Sequence, residues 1–170
     1  KFDSFSWQWE SNPKYPPYRA DFSPGVIIHE TGHALGLPDY YDYEDAVGPR
    51  GGVGGMDMMA ANVGDHNCFS KFMLEWLTPT IITNAVNDLP LRAAANFPDA
   101  VALAKGYTGP DAFAEYFMVQ NRQRVNNDQN LPGAGLVIWH VDARLDGAGY
   151  DFLYDNSYTQ HKLLRLMEAD

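Results

Sequence analysis

His29 and His33 stand four residues apart, with Glu30 beside the first, in the run His29-Glu30-Thr31-Gly32-His33-Ala34-Leu35-Gly36-Leu37-Pro38-Asp39. On an α-helix, positions i and i+4 share a face, so the two imidazoles can hold one metal ion between them. Glu30 can then take a proton from a water on that ion. This is the H-E-x-x-H pattern, in which the histidines bind zinc and the glutamate is the general base. A structural zinc fills its four positions with protein and has no use for a base, whereas a catalytic one keeps a position open for water.

The third ligand is expected just past the helix. Gly36 can end the helix in a left-handed turn, and Asp39 follows three residues later. That order matches the metzincin pattern H-E-x-x-H-x-x-G-x-x-H, with an aspartate in place of the last histidine. A carboxylate is an accepted zinc ligand; Asp42 is the alternative if the turn is wider. Metzincins also carry a methionine turn beneath the metal. Gly54-Gly55-Met56-Asp57-Met58-Met59-Ala60 supplies one, with Met59 expected under the ion and Met58 next in line. The other use of such methionines is to fill gaps in a core.

The elements that position these groups can be read from the same sequence. Ser23-Pro24 is a helix start, and the active-site helix is expected over about 24–35. Five glycines and one proline make 48–55 an irregular loop. A second helix is expected over 65–77, because Phe69, Phe72, Met73, Trp76 and Leu77 form a core-facing stripe at helical spacing. Lys71 and Glu75 are expected to pair on its outer face, and Pro79 ends it. Strands are expected over 80–83, 101–104, 115–121, 135–141 and 162–167, with 126–133 as a loop. Residues 1–22, rich in tryptophan, tyrosine and proline, read as an extended segment. The expectation is one α+β catalytic domain over 1–170, with a zinc-site half at 23–79 and a β-rich half at 80–170.

Composition narrows the partners. Hydrophobic residues make up 45% of 170 residues, enough for a core. A net charge of −10 argues against nucleic acid and anionic membranes, which need clustered Lys and Arg. No apolar run is long enough to span a bilayer, and no signal peptide is visible. The single cysteine, Cys68, excludes an internal disulfide and is expected as a small buried hydrophobe.

Further candidates surround the motif. Tyr40, Tyr41 and Tyr43 follow Asp39 closely enough to serve as oxyanion donors. His140 shares its strand face with Leu136 and Ile138, and is expected as a packed histidine with a local hydrogen bond. His66 is expected to start the second helix and either to cap it or to sit near the cleft, and His161 has no assigned role. The acidic stretches Asp39, Asp42, Glu44, Asp45 and Asp146, Asp151, Asp155, Asn156 offer oxygen ligands for calcium. Neither matches an EF-hand loop, and a solvated acidic surface is their default reading.

On these residues the chain resembles the immune inhibitor A-type bacterial metallopeptidases. The likeness rests on 29–42 and on the turn at 55–60. It continues through 69–77, Glu115-Tyr116-Phe117-Met118-Val119-Gln120-Asn121-Arg122-Gln123, 135–142 and the closing 161–170. The resemblance implies a metzincin-like α+β domain and a zinc-dependent endopeptidase acting on protein or peptide. It also implies secretion or a cell-surface location, and one module of a larger precursor with bound calcium. In that family the upper half of the cleft precedes the helix, and a tryptophan is usual where Met56 stands here. A rival expectation is therefore a zinc-binding adhesion or recognition module that has lost turnover. A hydrolase of some other amide is a third.

Overall fold

The computed structural model describes residues 24–50, 52–104 and 111–167. The extended segment expected over 1–22, and Ser23 as a cap, lie outside these residues. Helix α1 spans Gly25–Ala34, with Pro24 at its N-cap rather than its first turn. A 3₁₀ turn at Gly54–Met56 leads into the one-turn helix α2, Met58–Ala61, and helix α3 spans Cys68–Met73. Five strands follow: β1 Thr80–Ile82, β2 Val101–Leu103, β3 Glu115–Arg122, β4 Gly135–Asp142 and β5 Leu164–Leu166. They form one sheet in the order β1-β2-β3-β4-β5, parallel between β1 and β2 and antiparallel elsewhere. The chain is thus mixed α+β, with its helices before its sheet.

Period-two alternation explains the long pair β3–β4. Tyr116, Met118, Gln120 and Arg122 point inward from β3, as do Val137, Trp139 and Val141 from β4. The core joins this face to Phe69 of α3, Met59 of α2, Leu131 and Leu164. His140 shares the outer face with Leu136 and Ile138, as alternation predicts, and bonds locally to Glu115 at 3.2 Å. That face is open rather than packed: Leu136 is 68% exposed. The closing strand is shorter than expected.

The second helix is also much shorter than the stripe implies. Asn67 accepts from the Ser70 amide as N-cap, so α3 starts at Cys68, three residues later than expected; such a cap is worth about 1 kcal/mol. Glu75 takes a left-handed conformation (φ 58°) and breaks the helix after its second turn. Phe69 and Leu77 reach the core, but Trp76 is left 51% exposed. The expected Lys71–Glu75 pair does not form; Lys71 binds Asp65 instead, at 2.5 Å.

A buried arginine ties sheet to helices. Arg122 meets Asp128 through two bonds of 2.7 and 2.6 Å, and donates to the carbonyls of Met56 and Asp65. Both partners are fully buried. Removing one partner of such a pair leaves an uncompensated charge and costs about 3–5 kcal/mol.

Candidate metal centre

The inward face of α1 is Gly25, His29 and Gly32, while Ile27 and Ile28 face outward. The helix ends in a Schellman turn: Leu37 N–H bonds to Gly32 O at 3.0 Å and Gly36 N–H to His33 O at 2.9 Å. Gly36 takes φ 96°, which costs glycine no steric strain. The reversal brings Asp39 back over the helix face that carries His29 and His33.

Each imidazole is oriented from behind. His29 Nδ1 lies 3.0 Å from Met58 O, and His33 Nδ1 lies 2.8 Å from Leu37 O. A carbonyl can only accept, so each Nδ1 carries the hydrogen, and in the neutral ring each Nε2 is left with its lone pair. Those atoms face Asp39 Oδ1 at 3.1 and 3.2 Å. Asp39 Oδ1 is itself buried without a hydrogen-bond partner. With both rings neutral, three acceptor atoms converge on one point, an arrangement that a cation between them would reconcile.

The spacing agrees with that reading. Tetrahedral ligands at zinc–ligand distances of 2.0–2.1 Å stand about 3.3 Å apart. The three ligand atoms all lie within 4.8 Å of one another. Two imidazoles and a carboxylate are a donor set that suits a first-row divalent ion. The buried Met59 side chain packs beneath α1 at Gly32, where an added Cβ would meet its sulfur and force that side chain to move. Met58 contributes through its backbone, as the acceptor for His29.

Asp57 builds the turn itself. Its carboxylate accepts from Met59 N at 2.7 Å, Asn67 N at 2.5 Å and Asn67 Nδ2 at 2.9 Å. Burial pushes its pKa up to about 6, against the pull of those bonds and of Arg122. His66 comes before the cap of α3 rather than opening the helix. Its buried ring lies near Gly32, and burial lowers its pKa.

The alternatives separate cleanly. Asp42 is turned away: its Oδ2 lies 3.5 Å from Lys162 Nζ, and its Oδ1 accepts from Glu44 N. Asp39 is the carboxylate at the histidines. Tyr40 is fully buried and bonded to Ser70 Oγ, which removes it as an oxyanion donor. Tyr41 stacks near His29, with ring centroids 6.3 Å apart, and Tyr43 donates to Asp39 Oδ2 at 3.0 Å. Burial, the bond to Tyr43 and the charge of Asp39 raise the Tyr41 pKa. Glu30 is half-buried next to His29. Cys68 is buried as expected, its thiol pushed up to about 12 by burial.

Among the described residues a second group, Glu115, Asp142 and His161, also brings three ligand atoms together. Arg144 already bridges both oxygens of Asp142 there, at 2.7 and 2.5 Å. Neither acidic stretch gathers three such side chains among the described residues. Asp146 and Asp155 accept backbone N–H groups of their own turns.

Beside His33 opens a cleft of about 530 Å³, walled by Leu35, Leu37, Met73, Phe113 and Phe152, with Asp151 also lining it. Sequence reading missed Tyr43 as the partner of Asp39 and the Arg122–Asp128 pair. The first had a signal, a tyrosine four residues past the ligand; the second joins a strand to a loop with no pattern to mark it. No helix of the described residues is long and apolar enough to cross a membrane. Set against protein-family models, curated proteins and solved structures, the chain matches none.

Proposed function

We propose that this protein is a zinc-dependent endopeptidase with a metzincin-like catalytic centre, of the immune inhibitor A type that its sequence resembles. His29, His33 and Asp39 are the ligands, Met59 is the floor and Glu30 is the general base. One observation supports the reading: His29 Nε2, His33 Nε2 and Asp39 Oδ1 converge within metal-binding distance of one another while each Nδ1 is turned to a backbone carbonyl.

Zinc held there supplies a water of pKa near 7 and a Lewis acid for the scissile carbonyl. Glu30 accepts the proton of the attacking water and returns it to the departing amine nitrogen, so one carboxylate serves as base and then as acid. Met58 O and Leu37 O hold the imidazoles by their Nδ1–H groups and fix their tautomers. The apolar walls of the cleft beside His33 take a hydrophobic side chain next to the bond being cut.

The test is hydrolysis of casein by the purified chain loaded with zinc. Cleavage that a chelator abolishes and added zinc restores supports the reading. A chain that binds zinc but cleaves nothing is instead the recognition module.

A further inference from the structure

The loop that presents the third ligand is gripped by a turn more than a hundred residues further along the chain. Tyr43 N–H donates to Ser157 Oγ at 3.0 Å, and Ser157 Oγ–H donates to Tyr41 O at 3.3 Å. Asn156 Nδ2 donates to Tyr40 O at 2.9 Å and to Leu164 O at 3.0 Å, and its Oδ1 accepts from Leu164 N. Asn156 and Ser157 are both buried. Asp155 shapes the turn by accepting from Ser157 N and Tyr158 N. The Tyr158 ring stacks on Tyr43, with centroids 6.4 Å apart and planes 9° from parallel.

The grip ends on the ligand. Tyr43 O–H donates to Asp39 Oδ2 at 3.0 Å, while Oδ1 faces the two Nε2 atoms. A phenol has one hydrogen, so the neighbouring Tyr41 hydroxyl must donate to the Tyr43 oxygen. Asp39 Oδ2 thus carries the hydrogen bond from Tyr43, while Oδ1 is the oxygen turned toward the two Nε2 atoms. A carboxylate that used both oxygens would occupy the coordination position a water needs.

We infer that Tyr43, clasped by the Asn156–Tyr158 turn, is the positioning residue for the third metal ligand: it fixes Asp39 to bind through one oxygen and couples metal affinity to the docking of that turn. The inference rests on the metal-centre reading above. Outer partners of this kind typically change metal affinity 10–100-fold when lost. Linkage requires the converse as well, so bound metal must steady the turn.

Zinc affinity of the full chain, measured by competition with a chromogenic chelator, tests this. Tyr43→Phe keeps the ring stacked on Tyr158 and removes only the hydroxyl. It is expected to weaken zinc binding by about 10–100-fold with the melting temperature of the metal-free protein unchanged. Cobalt substitution should show an altered visible spectrum in the same variant. Ser157→Ala, which leaves the hydroxyl in place, should weaken zinc less, and zinc should slow amide exchange across residues 155–159 in the parent only. Equal zinc affinity and an unchanged cobalt spectrum in Tyr43→Phe overturn the inference while leaving the zinc centre standing. A parent chain that takes up no zinc removes the centre itself.

Discussion

Two clusters of histidine and carboxylate lie among the described residues, and they differ in whether the protein supplies its own cation. At His29, His33 and Asp39, each Nδ1 is turned to a backbone carbonyl and each Nε2 faces one buried carboxylate oxygen, with no protein cation between them. At Glu115, Asp142 and His161, Arg144 sits in the middle. It bonds to both oxygens of Asp142 and lies 3.5 Å from Glu115. His161 adds a contact of 2.7 Å to Asp142, and His140 one of 3.2 Å to Glu115. Ligand-type residues within reach of one another are thus not enough. What decides is whether the protein leaves negative charge and lone pairs over, or supplies its own cation.

The contrast can be broken in several places. The largest effect is expected from Glu30→Gln: a loss of roughly 10³-fold or more in chelator-sensitive hydrolysis with zinc content unchanged, as befits a base that is not a ligand. Next, His33→Ala should weaken zinc binding by at least about 100-fold, whereas His161→Ala should leave the zinc titration superimposable on the parent; losing a ligand's hydrogen-bond partner alone reaches that range, so a lost ligand must match it. Arg144→Ala removes the resident cation of the other cluster. That variant is expected to gain a second, weaker equivalent of zinc in equilibrium dialysis, and a single equivalent would mean the two clusters differ for some other reason.

The smallest effect concerns acid stability. Burial raises the pKa of Asp142, but hydrogen bonds and charge from Arg144, with His161 beyond, outweigh it and hold the carboxyl below its ordinary value. The unfolded chain then binds more protons between the two values, so stability rises with pH there. The contribution is present above the ordinary carboxylate pKa and is lost as pH falls through the lowered one. Urea unfolding midpoints from about pH 5 to about pH 2 should therefore fall less steeply for Asp142→Asn than for the parent.

Much of this was legible in the sequence, and for local reasons. The helix with its two histidines, the glycine turn and Asp39 lie within 11 consecutive residues, so spacing alone brings them together. The long strands β3 and β4 were legible because inward and outward residues alternate along them. What was not legible depends on distant partners. The stripe from Phe69 to Leu77 reads as three turns of helix, yet Asn67 caps it late and a left-handed Glu75 stops it early. Arg122 looks like an ordinary strand arginine until Asp128, Met56 and Asp65 close around it. Lys162 is buried against Val47 O, a contact no periodicity announces. Tyr43 and Ser157 meet only because β5 returns the chain to the sheet edge.

The proposed zinc site depends on Asp39, and not Asp42, as the carboxylate that joins His29 and His33. Zinc uptake by the metal-free chain, measured by isothermal titration alongside Asp39→Ala and Asp42→Asn, tests it most directly. The account predicts one equivalent bound by the parent and by Asp42→Asn, with affinity reduced by at least about 100-fold in Asp39→Ala. A parent that binds no zinc, or an Asp39→Ala variant that binds it as tightly, would contradict it.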